Sequence, residues 1–168
     1  MQPDIRFDNT LTLRFGGLTF EMTAEGAAHS TSDVTLYIPE RRVLAMGDLF
    51  KSEIHTGPGD TAYATFSGAK SFTAIVDKVI ARNLPVDTYV PGHGPVHIGR
   101  GVADLQELKR YFETMRGEVS RMIRAGKTEA QVVAEFKTPA PFDKYGQAAG
   151  INRFLPLYYR DLKAEGVR

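Results

Sequence analysis

The 168-residue chain has no cysteine, which removes disulfides, thiolate metal ligands and a cysteine nucleophile together. Any transition-metal site must then be built from His, Asp and Glu, and only four histidines are present. Charge of one sign is also lacking. Lys+Arg 21 against Asp+Glu 20 leaves a formal net charge of +1, so broad attraction to nucleic acid or to an acidic membrane is not expected. No basic stripe of the kind used in nucleic-acid processing is seen. No run approaches the ~20 apolar residues of a membrane-spanning helix. The opening residues MQPDIRFDNT have no apolar signal region, and the expected location is cytoplasmic. Ser30 and Ser32 neighbour His29, but no G-x-S-x-G elbow supports a serine hydrolase.

What is present is the mix of an ordinary globular domain, 42% hydrophobic and 24% charged. The length suits one unit over 1–168, with a β-rich front (1–100) and a helical tail (101–168) packed on it. The expected class is α/β (α+β), a mixed sheet followed by helices. Leu11, Leu13 and Phe15 alternate with polar residues, as do Leu18, Phe20 and Met22, around a Gly16-Gly17 turn. This pattern predicts a hairpin with one buried face. Short apolar runs at Val34–Ile38 and Val43–Met46 flank the turn-like Pro39-Glu40-Arg41-Arg42, and Gly47-Asp48 is expected to end the second.

Lys51 to Ser67 reads as a loop. Phe72, Ile75, Val76, Val79 and Ile80 then share one helical face between Gly68 and Asn83. Asp87–Val90 is a short strand stopped by Pro91-Gly92-His93-Gly94-Pro95, and the β-α-β order predicts a helical crossover. Val102 to Ala125 is a long helix whose apolar seam runs from Leu105 to Met122. The seam is expected to pack inside the chain, with a helical dimer as the alternative. Thr128 and Gln131 suit a capping box for a helix through Phe136. Gln147 to Glu165 is the final helix, with Pro156 kinking or interrupting it. Tyr145, Phe154, Tyr158 and Tyr159 are expected in the core or an interface, the alternative being a pocket wall.

Three segments carry chemistry: His29 in GAAHSTSD, Asp48 in VLAMGDLF and His93 in VPGHGPV. Each candidate lies at a strand end or in a flanking loop, where a rigid scaffold can hold a projecting side chain. Two imidazoles and a carboxylate suit Zn²⁺, Fe²⁺ or Mn²⁺. Taken singly, each also fits a plain turn or a structural histidine.

In order, they resemble a known family. GAAHSTSDVTLYIPERRVLAMGDLF is similar to the stretch of metallo-β-lactamase-fold hydrolases in which a metal-binding His precedes a strand, a turn and a strand ending in Gly-Asp. VDTYVPGHGPV resembles the part carrying that family's last metal-binding His. The helical tail resembles the quinoprotein-relay or thiosulfate-associated branch. The resemblance covers about Phe7 to Leu162 and corresponds to the C-terminal half of an αββα sandwich. It implies that His29 binds a first metal, Asp48 bridges two metals and takes part in catalysis, and His93 binds the second.

The implied cofactor is zinc, with iron or manganese as alternatives, or none. The implied reaction is attack of a metal-bound hydroxide on a small-molecule ester, thioester, lactone or amide. His55 is placed near the site's mouth as a substrate-binding candidate, the alternative being an exposed loop histidine. His97 and Arg100 fall at the rim. The family's H-x-H-x-D-H motif is absent from the sequence, and a catalytic zinc usually needs three protein ligands. The expectation is therefore a homodimer, packed sheet on sheet, that completes the site. A non-catalytic remnant or fragment with a binding or structural role is the alternative.

Overall fold

The computed structural model describes residues 4–30, 32–57, 68–146 and 150–168. Most of the loop expected at Lys51–Ser67 and the first residues of the last helix, from Gln147, lie outside the described residues. A single five-stranded sheet has the order β1-β2-β3-β4-β5. The strands are β1 (Thr10–Phe15), β2 (Leu18–Gly26), β3 (Asp33–Ile38), β4 (Val43–Lys51) and β5 (Thr88–His93). β1 to β4 are antiparallel neighbours, and β5 joins β4 in parallel. The helices are α1 (Gly68–Ala81), α2 (Val102–Arg124), α3 (Glu129–Glu135) and α4 (Ile151–Ala164). The mixed α/β class and the half-sandwich expectation hold.

The first turn follows its glycines. Gly16 and Gly17 have φ of 59° and 77°, the left-handed pair that a two-residue hairpin turn needs, and Phe15 pairs directly with Leu18. Thr128 accepts from the Gln131 amide while the Gln131 side chain accepts from the Thr128 amide, closing the capping box at α3. α4 runs through Pro156 without interruption. Leu155 and Tyr158, both fully buried, pin the helix on either side of it.

Two strands run longer than their apolar runs suggested. β4 continues past Met46 through a register shift at Ala45/Gly47, so Asp48 sits within the strand instead of after it. β5 continues through Pro91 to His93. A proline is tolerated there because β5 is an edge strand.

The two faces of the sheet differ. On one, Tyr37, Leu44, Met46 and Tyr89 are buried in a common core with Phe72 and Val76 of α1 and Leu105 and Phe112 of α2. Phe72 and Phe112 pack with ring centroids 5.2 Å apart. The α2 seam from Leu105 to Met122 is buried within the chain, so it does not serve as a helical dimer surface. On the other face the register aligns Leu11, Met22, Leu36, Ala45 and Val90 across all five strands. None of these is buried, and no described helix lies over them.

A polar cluster ties the helical layer to the sheet. Glu25 on β2 has a fully buried side chain and pairs with Arg82 just after α1. Lys78 lies 3.4 Å away and the Thr35 hydroxyl donates at 2.5 Å. Removing one partner from such a pair strands the other charge. Arg82→Met is expected to lower unfolding free energy by about 3 kcal/mol in urea titration. Adding Glu25→Met should restore most of that loss, because the carboxylate no longer has to be buried.

Candidate metal centre

β2, β4 and β5 all run in the same direction, so the chain leaves all three at one end of the sheet. His29 lies in the β2–β3 turn, Asp48 near the end of β4 and His93 at the last residue of β5. This shared direction gathers residues that are far apart in sequence.

His29 is aimed by its neighbour Asp33. The Asp33 carboxylate accepts from the backbone amides of Ala28, His29 and Ser30 and from the Ser30 hydroxyl, at 2.7–3.1 Å. These bonds fold the turn around one buried anion. His93 is placed by close chain packing. A side chain on Gly92 would put its Cβ 2.6 Å from Asp48 Oδ1, and one on Gly94 would come within 1.8 Å of the Ser52 carbonyl. The glycines beside His93 thus permit β5 to lie against β4. Ser52 N–H donates to the His93 carbonyl at 3.0 Å.

The result is a carboxylate between two imidazoles. His29 Nε2 stands 3.5 Å from Asp48 Oδ2 and His93 Nε2 stands 3.1 Å from Asp48 Oδ1. Lys51 Nζ lies 4.0 Å from the same Oδ1. Even so, Oδ1 is buried and accepts no hydrogen bond of good geometry among the described residues. A buried oxygen in that state costs about 1–3 kcal/mol, and a cation is one way to satisfy it. Two neutral imidazoles and a carboxylate match the chemistry of Zn²⁺, Fe²⁺ or Mn²⁺. Among the described residues, no three His, Cys, Asp or Glu side chains converge closely enough to hold an ion by themselves. The donors fit a metal as part of a ligand set.

The structure brings together all three implied ligands and places His55 elsewhere. His55 is 3% exposed, packed beside the stacked rings of Tyr111 and Tyr145 with its centroid 6.0 Å from each, and so is not an exposed loop residue. The Tyr111 hydroxyl donates to the Thr56 carbonyl at 2.9 Å and accepts from the Thr56 amide at 3.1 Å. Its one proton is thereby used, so the 3.3 Å contact with His55 Nδ1 needs the proton on that nitrogen. Tyr158 is also fully buried, in keeping with a core role. His97 and Arg100 lie in the loop after β5 and contact Asp104 on α2. Sequence reasoning missed Asp33 and Lys51. A carboxylate following Ser30 and Ser32 is a turn signal, and Lys51 follows Asp48 by three residues, but nothing in the sequence placed either at the site.

With the strands and helical layer in place, the molecule is a two-layer half of an αββα sandwich, with His29, Asp48 and His93 at one end of its sheet. The family model of the metallo-beta-lactamase superfamily matches residues 2–93, and the chain belongs to that superfamily. A type 2 metallo-beta-lactamase of Bacillus cereus is 29% identical over 84 residues, 50% of this chain and 32% of that protein. Among solved structures, a metallo-beta-lactamase from Pontibacter korlensis is 25% identical at a TM-score of 0.57, covering 67% of this chain and 50% of its own. A metallo-beta-lactamase family protein from Thermus thermophilus covers 98% of this chain and 50% of its own, at a TM-score of 0.71 and 18% identity. The chain thus spans half the length, or less, of these relatives.

Burial holds the His55 pKa below its ordinary value of 6.5. The folded state therefore resists protonation that the unfolded chain accepts, and stability rises with pH across that interval. Wild-type stability should fall as pH drops below about 6.5 and level off beneath the depressed folded value. His55→Gln should flatten this part of the profile, as read by chemical denaturation at a series of pH values.

Proposed function

We propose that this chain is a metal-dependent hydrolase subunit acting on a small molecule with an ester, thioester, lactone or amide group, and working as a homodimer. The supporting observation is Asp48, whose buried, hydrogen-bond-deficient Oδ1 faces His93 while His29 faces its other oxygen. His29, Asp48 and His93 would hold the metal, zinc in the first instance. A bound ion of this kind lowers the pKa of a coordinated water and polarises the carbonyl to be cleaved. The protein's own groups set the stage. Asp33 fixes the His29 turn, the β4–β5 packing fixes His93, and the Lys51 ammonium offsets the Asp48 charge. His55 is too deeply buried to meet substrate directly and would support the floor of the site through Tyr111. A cytoplasmic location belongs to the same reading.

The uncovered sheet face supports the dimer reading. Leu13 and Phe15 are 38% and 81% exposed on β1, and Val34 is 39% exposed on β3. On the hairpin the apolar side chains all point away from the helices. Thr12, Arg14, Thr19 and Glu21 occupy the helix side. A sheet so patterned is written for a second apolar layer. The occupant proposed is a second copy of this chain, because one surface then covers itself through a twofold axis. The two copies would bring their partial ligand sets into one assembly.

A second reading has its own support. No three described ligands converge and the sequence lacks H-x-H-x-D-H, as a non-catalytic remnant with a binding or structural role would. Elemental analysis of untagged protein separates the two. The hydrolase reading expects about one tightly held metal per chain, lost in Asp48→Asn and held measurably more weakly in His93→Ala. A persistently metal-free protein after zinc addition removes it. In parallel, light scattering should give a dimer that Leu36→Glu converts to monomer. Monomeric wild-type protein at high concentration would rule out self-association through this face.

A further inference from the structure

The loop that follows His93 carries a second histidine whose surroundings the proposed chemistry does not use. His97 Nε2 lies 3.1 Å from Glu53 Oε1 on the segment after Asp48. His97 Nδ1 lies 3.3 Å from Asp104 Oδ1 in the first turn of α2 and 3.2 Å from an Arg100 guanidinium nitrogen. Arg100 in turn reaches Asp104 at 3.1 Å and Glu107 at 2.7 Å. Tyr145 closes the chain with a 2.7 Å bond to Glu107. One imidazole therefore joins three pieces of backbone: the segment leaving Asp48, the loop leaving His93, and the start of α2.

We infer that His97 is a positioning residue for the metal centre, clamping the His93 loop to the segment that follows Asp48. The inference rests on the metal-site reading above.

The clamp does not depend on the protonation state of the ring. In a neutral imidazole, Nε2–H donates to Glu53 while Nδ1 accepts from Arg100. In an imidazolium, Nδ1–H donates to Asp104 and the Glu53 bond is kept. Among the described residues, Glu53, Arg100 and Asp104 are the charged groups that face the ring. The Glu53 end is anchored, since its carbonyl accepts from Gly146 N–H at 2.8 Å. The Asp104 end is buried at 2% exposure, and its second oxygen has no hydrogen-bond partner among the described residues. An orphaned carboxylate oxygen is unfavourable for stability, so stability alone does not account for the cluster. What it provides is a fixed loop. His93 needs one, because its own side chain is 56% exposed and has little packing to hold it. Removing a group that holds a metal ligand in place typically weakens metal affinity about 10- to 100-fold.

The test is zinc affinity by competition with a chromogenic chelator, in the wild-type chain and in His97→Ala, His97→Gln, His93→Ala and the His93→Ala/His97→Ala pair. His97→Ala should weaken zinc binding about 10- to 100-fold. His97→Gln should recover most of the affinity, because an amide can donate to Glu53 and accept from Arg100 together. In the His93→Ala background the His97→Ala change should cost nothing further, since its effect passes through His93. A loss of the same size in both backgrounds would mean a general structural role and would overturn the inference, as would unchanged affinity in His97→Ala alone. Should His97→Ala fail to fold, Glu53→Ala breaks the same clamp from a half-exposed residue and must give the same weakening. No zinc bound by the wild-type chain would overturn the metal reading itself, and this inference with it.

Discussion

β4 and β5 lie so close at the end of the sheet that Gly92 and Gly94 have no room for side chains. Everything at the candidate site depends on this approach. Parallel pairing of the two strands requires a crossover, which α1 supplies, and the crossover buries α1 against the sheet. With the strands held together, the end of one delivers Asp48 and the end of the other delivers His93. The register shifts along β4 lengthen the strand past Met46 and turn Asp48 toward its neighbour instead of leaving it in a turn. Were Gly92 and Gly94 to carry side chains, the chain would be forced away from β4 and the 3.1 Å contact between His93 and Asp48 would be lost. The site is thus a consequence of backbone packing before it is a matter of ligand identity.

The same sheet makes opposite demands on its two faces. The helical layer uses one, and Glu25, Arg82 and Thr35 show how a polar group is accommodated beneath it: fully buried, with every partner within reach. The other face is apolar from strand to strand in register, without a described cover. Met22 and Leu36 are half-buried, and Phe15, near the hairpin turn, is left 81% exposed. Contiguous apolar surface of this kind marks an interaction face in soluble proteins. In the dimer proposed above, the layer that covers this face would also be the one able to bring further ligands to the end of the sheet.

Much of this was legible in the sequence, for identifiable reasons. The α1 face from Phe72 to Val79 and the α2 seam have strong periodicity, and burial follows periodicity. The capping box at Thr128 has a local chemical cause and needs no tertiary context. Strand ends were less legible. The last residues of β4 and β5 include glycine and proline, which read as turns. Their strand geometry comes from pairing between segments some forty residues apart. The burial of His55 was hidden for the same reason. Nothing in the residues around it reveals Tyr111 of α2, which covers it. Asp33 and the His97 cluster were silent because hydrogen bonds across a turn or between loops leave no repeat pattern.

The four histidines show what the fold adds to composition. His29 and His93 turn toward one carboxylate, His55 is sealed against Tyr111, and His97 spans Glu53 and Asp104. The same side chain is a ligand candidate, a core donor and a loop clamp, according to what each nitrogen meets. Binding a metal would require Nε2 of the first pair to be available. Backbone amides take up Asp33, which holds the turn without competing for the His29 ring. Glu53 and Asp104 engage His97 and leave Asp48 as the carboxylate facing His93. The charges around the site are in this way divided between a set that fixes the chain and a smaller set that faces outward. Under the metal reading, a ligand set that is incomplete within one chain could be kept ready only if the first set held its shape alone, and the bonds around Asp33 and His97 are of that holding kind.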